Sequence, residues 1–151
     1  DKTGTLTKGN FVVKEIVPVD GVTAETLLEL AACAESGSNH PISRSLRQAY
    51  EASGRAIDTG RIAQVEETAG FGVRAVMDGK KYWPETGANE QNGIVCMEAA
   101  AVGTVVYLAC DERCLGYLVI GDEVKPDAAN AVSELFASRV RDVVMLTGDR
   151  R

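Results

Sequence analysis

Between Ile62 and Ile120 the chain is cut into short runs in which apolar and polar residues alternate, several of them closed by residues suited to a tight reversal. A period of two sends successive side chains to opposite faces, which fixes strands with one buried side. Ile62–Thr68 and Val73–Met77 read as two such strands, and Asp78-Gly79 turns the second back into Lys80–Trp83 as a hairpin. Thr104–Cys110 and Leu115–Ile120, joined by a short polar turn, read as another hairpin. Upstream, Phe11–Val19 alternates and ends at Asp20-Gly21. Ala24–Glu35 has a helical period, with Leu27, Leu28, Leu30, Ala31 and Ala34 on one face and Thr23 as its cap. A second helix, Ile42–Ala52, is entered through Pro41 and closed by Ser53-Gly54. Glu90–Ala101, interrupted by Gly93, fits neither period. Pro126–Ser138 is an amphipathic helix, and Val143-Val144-Met145-Leu146 follows as a buried strand running into a polar turn. Antiparallel hairpins in the middle, with helix and strand alternating at the end, imply an α+β module inserted into an α/β one.

Composition narrows the function. With 151 residues, 45% of them hydrophobic, the chain can bury a core. A formal charge of −6 argues against binding a nucleic-acid backbone, which needs a clustered basic face. Apolar runs such as Tyr117–Ile120, with Leu115 just before it, fall far short of the roughly 18 residues of a membrane span. The opening residues are not expected to be a signal peptide. The four cysteines, Cys33, Cys96, Cys110 and Cys114, form no CxxC and are accompanied by one histidine, so buried, reduced thiols are expected rather than zinc or a disulfide framework. Because Asp1 stands inside a motif and the other end breaks off in a strand and turn, the chain reads as an excerpt of a longer one.

Asp1-Lys2-Thr3-Gly4-Thr5-Leu6-Thr7 carries the strongest chemistry. A carboxylate can accept a phosphoryl group covalently when magnesium and backbone amides offset the incoming charge. Asp1 supplies the nucleophile, Thr3 a carbonyl and a hydroxyl, and Gly4 room for a close approach. At the other end, Thr147-Gly148-Asp149 follows an apolar run, where a hydroxyl can donate to a phosphate oxygen and Gly148 clears its path. Asp122-Glu123-Val124-Lys125-Pro126 is by itself an exposed charged loop capping the helix that follows. His40, alone, is by type a surface or capping residue, and Gly70-Phe71-Gly72 a bulge or turn.

Taken together, the first word resembles the phosphorylation motif of P-type ATPases in full, and the remaining words fall in that family's order. The resemblance implies a haloacid-dehalogenase-like phosphorylation domain from residues 1–8 and 122–151, incomplete here, interrupted by an α+β nucleotide-binding domain over 9–121, an antiparallel sheet with helices. It makes Asp1 the aspartyl-phosphate residue, with Lys2, Thr3, Thr147, Gly148 and Asp149 as its catalytic company and Asp1 and Thr3 on magnesium. Arg150 stands where the family has Asn. Asp122 and Lys125 are expected near the phosphates of ATP. His40-Pro41 resembles the His-Pro pair of the heavy-metal branch, with His40 and Glu35 toward the adenine. Gly70, Gly72 and Val73 resemble the strand pair that admits the nucleotide. Gly87, followed by Ala88 and Asn89, stands where the family has a Gly-Asn pair.

The implied parent hydrolyses ATP through an aspartyl phosphate, at the cytoplasmic face of a membrane, to export a heavy-metal cation. The wording of Glu35–Ile42 and Gly116–Glu123 is closer to zinc, cadmium and lead exporters than to copper ones. A soluble haloacid-dehalogenase-type phosphatase is the rival reading, but it carries a second Asp two residues after the nucleophile, where this chain has Thr3. A non-catalytic nucleotide-binding module is the other, and the excerpt itself is expected to bind nucleotide without turning it over.

Overall fold

The computed structural model describes residues 2–68, 72–86, 90–91 and 93–145, and the chain divides into two compact units, residues 12–121 and residues 1–11 with 122–151. Six strands form one sheet in the order β1-β8-β7-β4-β3-β2, all within the larger unit except the first residues of β1 and the last of β8. Their ranges are β1 (Thr7–Pro18), β2 (Ile62–Thr68), β3 (Gly72–Met77), β4 (Lys80–Thr86), β7 (Thr104–Cys110) and β8 (Arg113–Val124), while β5 (Glu90–Gln91) and β6 (Ile94–Val95) make a separate two-stranded hairpin. The pairs β2–β3, β3–β4, β4–β7 and β7–β8 are antiparallel. Asp78 and Gly79 both take positive φ, 50° and 75°, the backbone that a two-residue turn between twisted strands demands.

The helices are α1 (Ala24–Ala34) and α2 (Pro41–Ala52), with α3 (Ala128–Ala137) in the smaller unit. Thr23 caps α1 by accepting from the Thr26 amide at 3.1 Å. α1 packs on β2, β3 and β4 and α2 packs on α1, enclosing Leu27, Ala31, Leu46, Tyr50, Ala75, Met77, Leu108, Leu118 and Ile120 in one core. The alanines of α1 are the reason for the close fit, since they bring its backbone down on the sheet without a side chain to accommodate. A second cluster, Cys96, Tyr107, Tyr117 and Val119, lies among Val17, Val105 and Ala99.

Three expectations are corrected. β4 runs through Pro84 to Thr86, beyond Trp83. The β3–β4 ladder extends only from Met77↔Lys80 to Ala75↔Tyr82, so the missing proline N–H falls outside it. Cys96 and Cys114 form a disulfide, with Cα atoms 5.4 Å apart, instead of two thiols. A separation of 18 residues carries no local signal for that bond; the segment after β6 packs Cys96 against Tyr107 and Tyr117, beside β8. Cys33 and Cys110 are free, as expected. Residues 143–145, the described part of the expected strand Val143–Leu146, have no regular structure, and Val144 is 73% exposed. Leu135 and Phe136 on α3 are also exposed. An apolar run becomes a strand only where a neighbouring edge pairs with it, and none does so among the described residues.

Candidate functional site

In the smaller unit, Lys2–Thr7 folds into one tight turn. The Lys2 carbonyl accepts from the amides of Thr5, Leu6 and Thr7 at 3.2, 2.9 and 3.1 Å. Gly4 supplies a φ of +80°, a left-handed conformation that side chains resist. Thr7 closes the turn. Only 3% exposed, its hydroxyl accepts from the Gly4 amide at 3.3 Å and donates to Asp122 Oδ2 at 2.5 Å. Lys125 reaches the same turn, donating Nζ to the Gly4 carbonyl at 2.9 Å and its amide to the Leu6 carbonyl at 2.9 Å. Asn10 donates to Glu123 at 2.6 Å, and Lys8 pairs with that carboxylate at 3.3 Å. Asp122 and Lys125 are therefore gathered with Lys2 and Thr3, and Thr7, read from sequence only as part of the motif, is what joins them.

Asp122 Oδ1 is buried and has no hydrogen-bond partner among the described residues. A buried oxygen left so is costly unless something else satisfies it. Magnesium suits such a place, because it asks for a few hard oxygen donors and keeps several waters. Thr3, exposed in the turn, adds a carbonyl and a hydroxyl, and no group of three or more His, Cys, Asp or Glu among the described residues could hold a metal unaided. Asp1, Thr147, Gly148 and Asp149 lie outside the described residues, as do Gly70 and Gly87.

In the larger unit the candidate residues converge on the junction of α1 and α2. Glu35 caps the C-terminus of α1 and is 8% exposed, with Oε2 accepting from Ser43 Oγ at 2.5 Å. One nitrogen of Arg47, Nη1, donates to the carbonyls of Glu35, Ser36 and Ser38 at 3.0, 3.2 and 2.7 Å. The His40 amide donates to Ser38 Oγ at 3.2 Å, and His40 Nδ1 accepts from the Ile42 amide at 3.3 Å. The His40 ring is thus exposed and caps α2, with Pro41 at the first helical position, where its missing N–H costs nothing. A Cβ on Gly37 would stand 3.3 Å from Val65 Cγ1, so the loop lies close on β2. Gly72 opens β3 opposite Thr68, and Val73 beside it is buried.

Other charges of this unit have structural work. Arg61 is bound to Asp78 at 2.7 Å and Glu29 at 2.6 Å, and the Asp78 hydrogen bond, against some desolvation, holds its guanidinium even further above the working range. Burial first, then the Glu29 carboxylate, pushes the Cys33 thiol up and keeps it inert. Two cavities of about 600 and 370 Å³ lie near Asp20, Ile94 and Arg113 and near Lys80 and Asp111; neither is lined by a candidate residue. Sequence reasoning missed Ser43 and Arg47. Their signal was available, since four residues apart on a helix they share one side, close to Leu46 and Tyr50, which face the core.

All of residues 1–151 match the haloacid dehalogenase-like hydrolase family, and the chain belongs to it. Within that class its relatives are metal transporters. It is 41% identical over 152 residues to a cadmium, zinc and cobalt-transporting ATPase of Bacillus subtilis and 44% identical over 150 residues to a zinc-transporting ATPase of Synechocystis, matching 100% and 99% of this chain. The chain spans 21% and 20% of those relatives, about a fifth of their length. A crystal structure of a zinc-transporting PIB-type ATPase in an E2.Pi state superposes with a TM-score of 0.77 at 30% identity, over 91% of this chain and 23% of the other.

Proposed function

We propose that the chain is the phosphorylation and nucleotide-binding segment of a heavy-metal-transporting P-type ATPase, zinc, cadmium or lead rather than copper. The observation that carries the reading is the turn Lys2–Thr7, tied by Thr7 to Asp122 and by Lys125 to Gly4. Such bonding fixes the backbone immediately after Asp1, as a nucleophile that must meet an in-line phosphoryl group requires. Residues 1–8 and 122–151 belong on this reading to the phosphorylation domain and 9–121 to the nucleotide-binding domain; the compact units, dividing near the same places, support it.

The chemistry follows from the residues. A carboxylate oxygen of Asp1 attacks the γ-phosphorus of ATP, the bond to the bridging oxygen breaks, and ADP leaves with that electron pair. Lys2 and Thr147 offset charge on the transferring oxygens. Asp1 and Thr3 are the groups that would hold magnesium, with the unpartnered Asp122 Oδ1 in the same unit, and the ion would neutralise phosphate charge. Glu35 and His40-Pro41, with Gly70, Gly72, Val73 and Gly87, take the nucleoside. Thr3 also separates this site from a soluble phosphatase: a threonine cannot serve as the acid and base that hydrolyse the acyl phosphate quickly, so the phosphoenzyme lives long enough to drive transport. No helix among the described residues is long and apolar enough to cross a membrane; the reading sets this segment at the cytoplasmic face, with the exported cation handled elsewhere in the polypeptide.

The test is to incubate membranes bearing the polypeptide that contains this chain with γ-labelled ATP and magnesium, then quench in acid. Label on protein that hydroxylamine releases, and that Asp1→Asn abolishes, is the expected result. Labelling that survives Asp1→Asn contradicts it.

A further inference from the structure

Of the five buried polar side chains among the described residues, four, Glu35, Ser38, Ser43 and Ser45, sit at the junction of α1 and α2. A helix pair of this size packs well on apolar residues alone, as Leu46 and Ala31 do a turn away, and each buried polar group must be matched by a partner to avoid a desolvation cost. Here the matching has a direction. Ser43, 2% exposed, points its hydroxyl at Glu35 Oε2. Arg47, four residues on, spreads one nitrogen across three successive-loop carbonyls, those of Glu35, Ser36 and Ser38. One contact fixes a carboxylate and the other fixes the backbone that carries it.

We infer that Ser43 and Arg47 are positioning residues for base recognition, holding the Glu35 carboxylate in the orientation that accepts from the exocyclic amino group of adenine and rejects a carbonyl in that place. The inference rests on the proposed nucleotide site. Ser43 acts through Glu35 and Arg47 through the loop, and neither is placed on the nucleotide. A carboxylate discriminates amino from carbonyl only where it cannot turn away, because a swivelling acceptor is satisfied by water for either base. The arrangement is also stiff. Arg47 donates to the carbonyl of Glu35, the C-cap of α1, and to two loop carbonyls just beyond it, an end where a cation is favoured by the helix dipole, and α2 is itself anchored through Leu46 in the core.

The experiment measures the affinity of the chain for ATP and for inosine triphosphate, which carries a carbonyl at the 6-position, by calorimetry in the wild type, Ser43→Ala and Arg47→Met. Wild type should prefer ATP. In Ser43→Ala the ATP affinity should fall about five- to tenfold, the size of one lost hydrogen bond, while inosine triphosphate is barely affected, so the preference collapses. Arg47→Met should do the same and speed amide exchange at residues 35–38. Ser43→Thr, which keeps the hydroxyl, should retain the preference and covers the case in which the alanine variant does not fold. An equal loss for both nucleotides makes the two residues merely structural and overturns the inference, as does unchanged preference in both variants. A wild type that binds neither nucleotide overturns the underlying site as well, and is distinguishable from either.

Discussion

Thr7 and Glu85 show how differently single residues fared. Thr7 belonged to a motif legible in the sequence, yet its role depends on Asp122, 115 residues away, which no local pattern conveys. His40-Pro41 was legible as a pair, and the structure adds that the imidazole caps α2 through Nδ1. Glu85 carried no signal at all. On β4, opposite Tyr107, it is partly withdrawn from water, and that desolvation raises its carboxyl above the ordinary range. A folded-state value above the unfolded one means the native state holds the proton longer. Its contribution is therefore present in full below the ordinary carboxylate value and is lost as pH rises through the raised one. Glu85→Gln should remove that loss, so the variant gains on the wild type in thermal unfolding as pH is taken from 4 toward 7. Parallel curves for the two proteins across that interval would contradict the assignment.

Among the elements, turn chemistry was the most readable. Asp78-Gly79 and the helix entries at Thr23 and Pro41 act locally, through φ and capping, and all three are found as read. Pairing was less readable, because it is decided by a neighbour. Val143-Val144-Met145 has the composition of a buried strand but no partner among the described residues, and Pro84 sits mid-strand because the β3–β4 ladder stops at Tyr82. β8 holds the most demanding position. Its register against β7 shifts between Leu108 and Ala109, and Gly116 there takes a φ of 137°. A Cβ would stand 2.3 Å from the Val17 carbonyl oxygen and 2.8 Å from Pro18 Cα, both backbone atoms that cannot step aside. Gly116→Ala should destabilise the chain by about 3 kcal/mol or more, as an overpacked strand pair does. Chemical denaturation checks it, and a loss under about 1 kcal/mol would mean that β1 and β8 separate easily.

At the scale of the whole molecule, the sequence was most legible where chemistry constrains several residues in fixed order. Asp1–Thr7 sufficed to point to the P-type ATPases and His40-Pro41 to their heavy-metal branch, and the family and the relatives agree with that resemblance. The Cys96–Cys114 bond was not legible, since it is made by tertiary packing between segments with no local pairing signal, and of the polar junction only the shared side of Ser43 and Arg47 on α2 was readable, not their contacts with Glu35 and its loop. On the proposed function, residues 9–121 hold a nucleotide mainly by its adenosine end. Magnetic resonance titration of the chain with ATP, ADP and AMP, with and without magnesium, tests it most directly. Similar affinities for all three, little effect of magnesium, and shifts centred on Glu35–Pro41, Gly72 and Val73 are expected. Shifts confined to the turn at Lys2–Thr7 and the residues around Thr147, with none at Glu35 or Gly72, would contradict it.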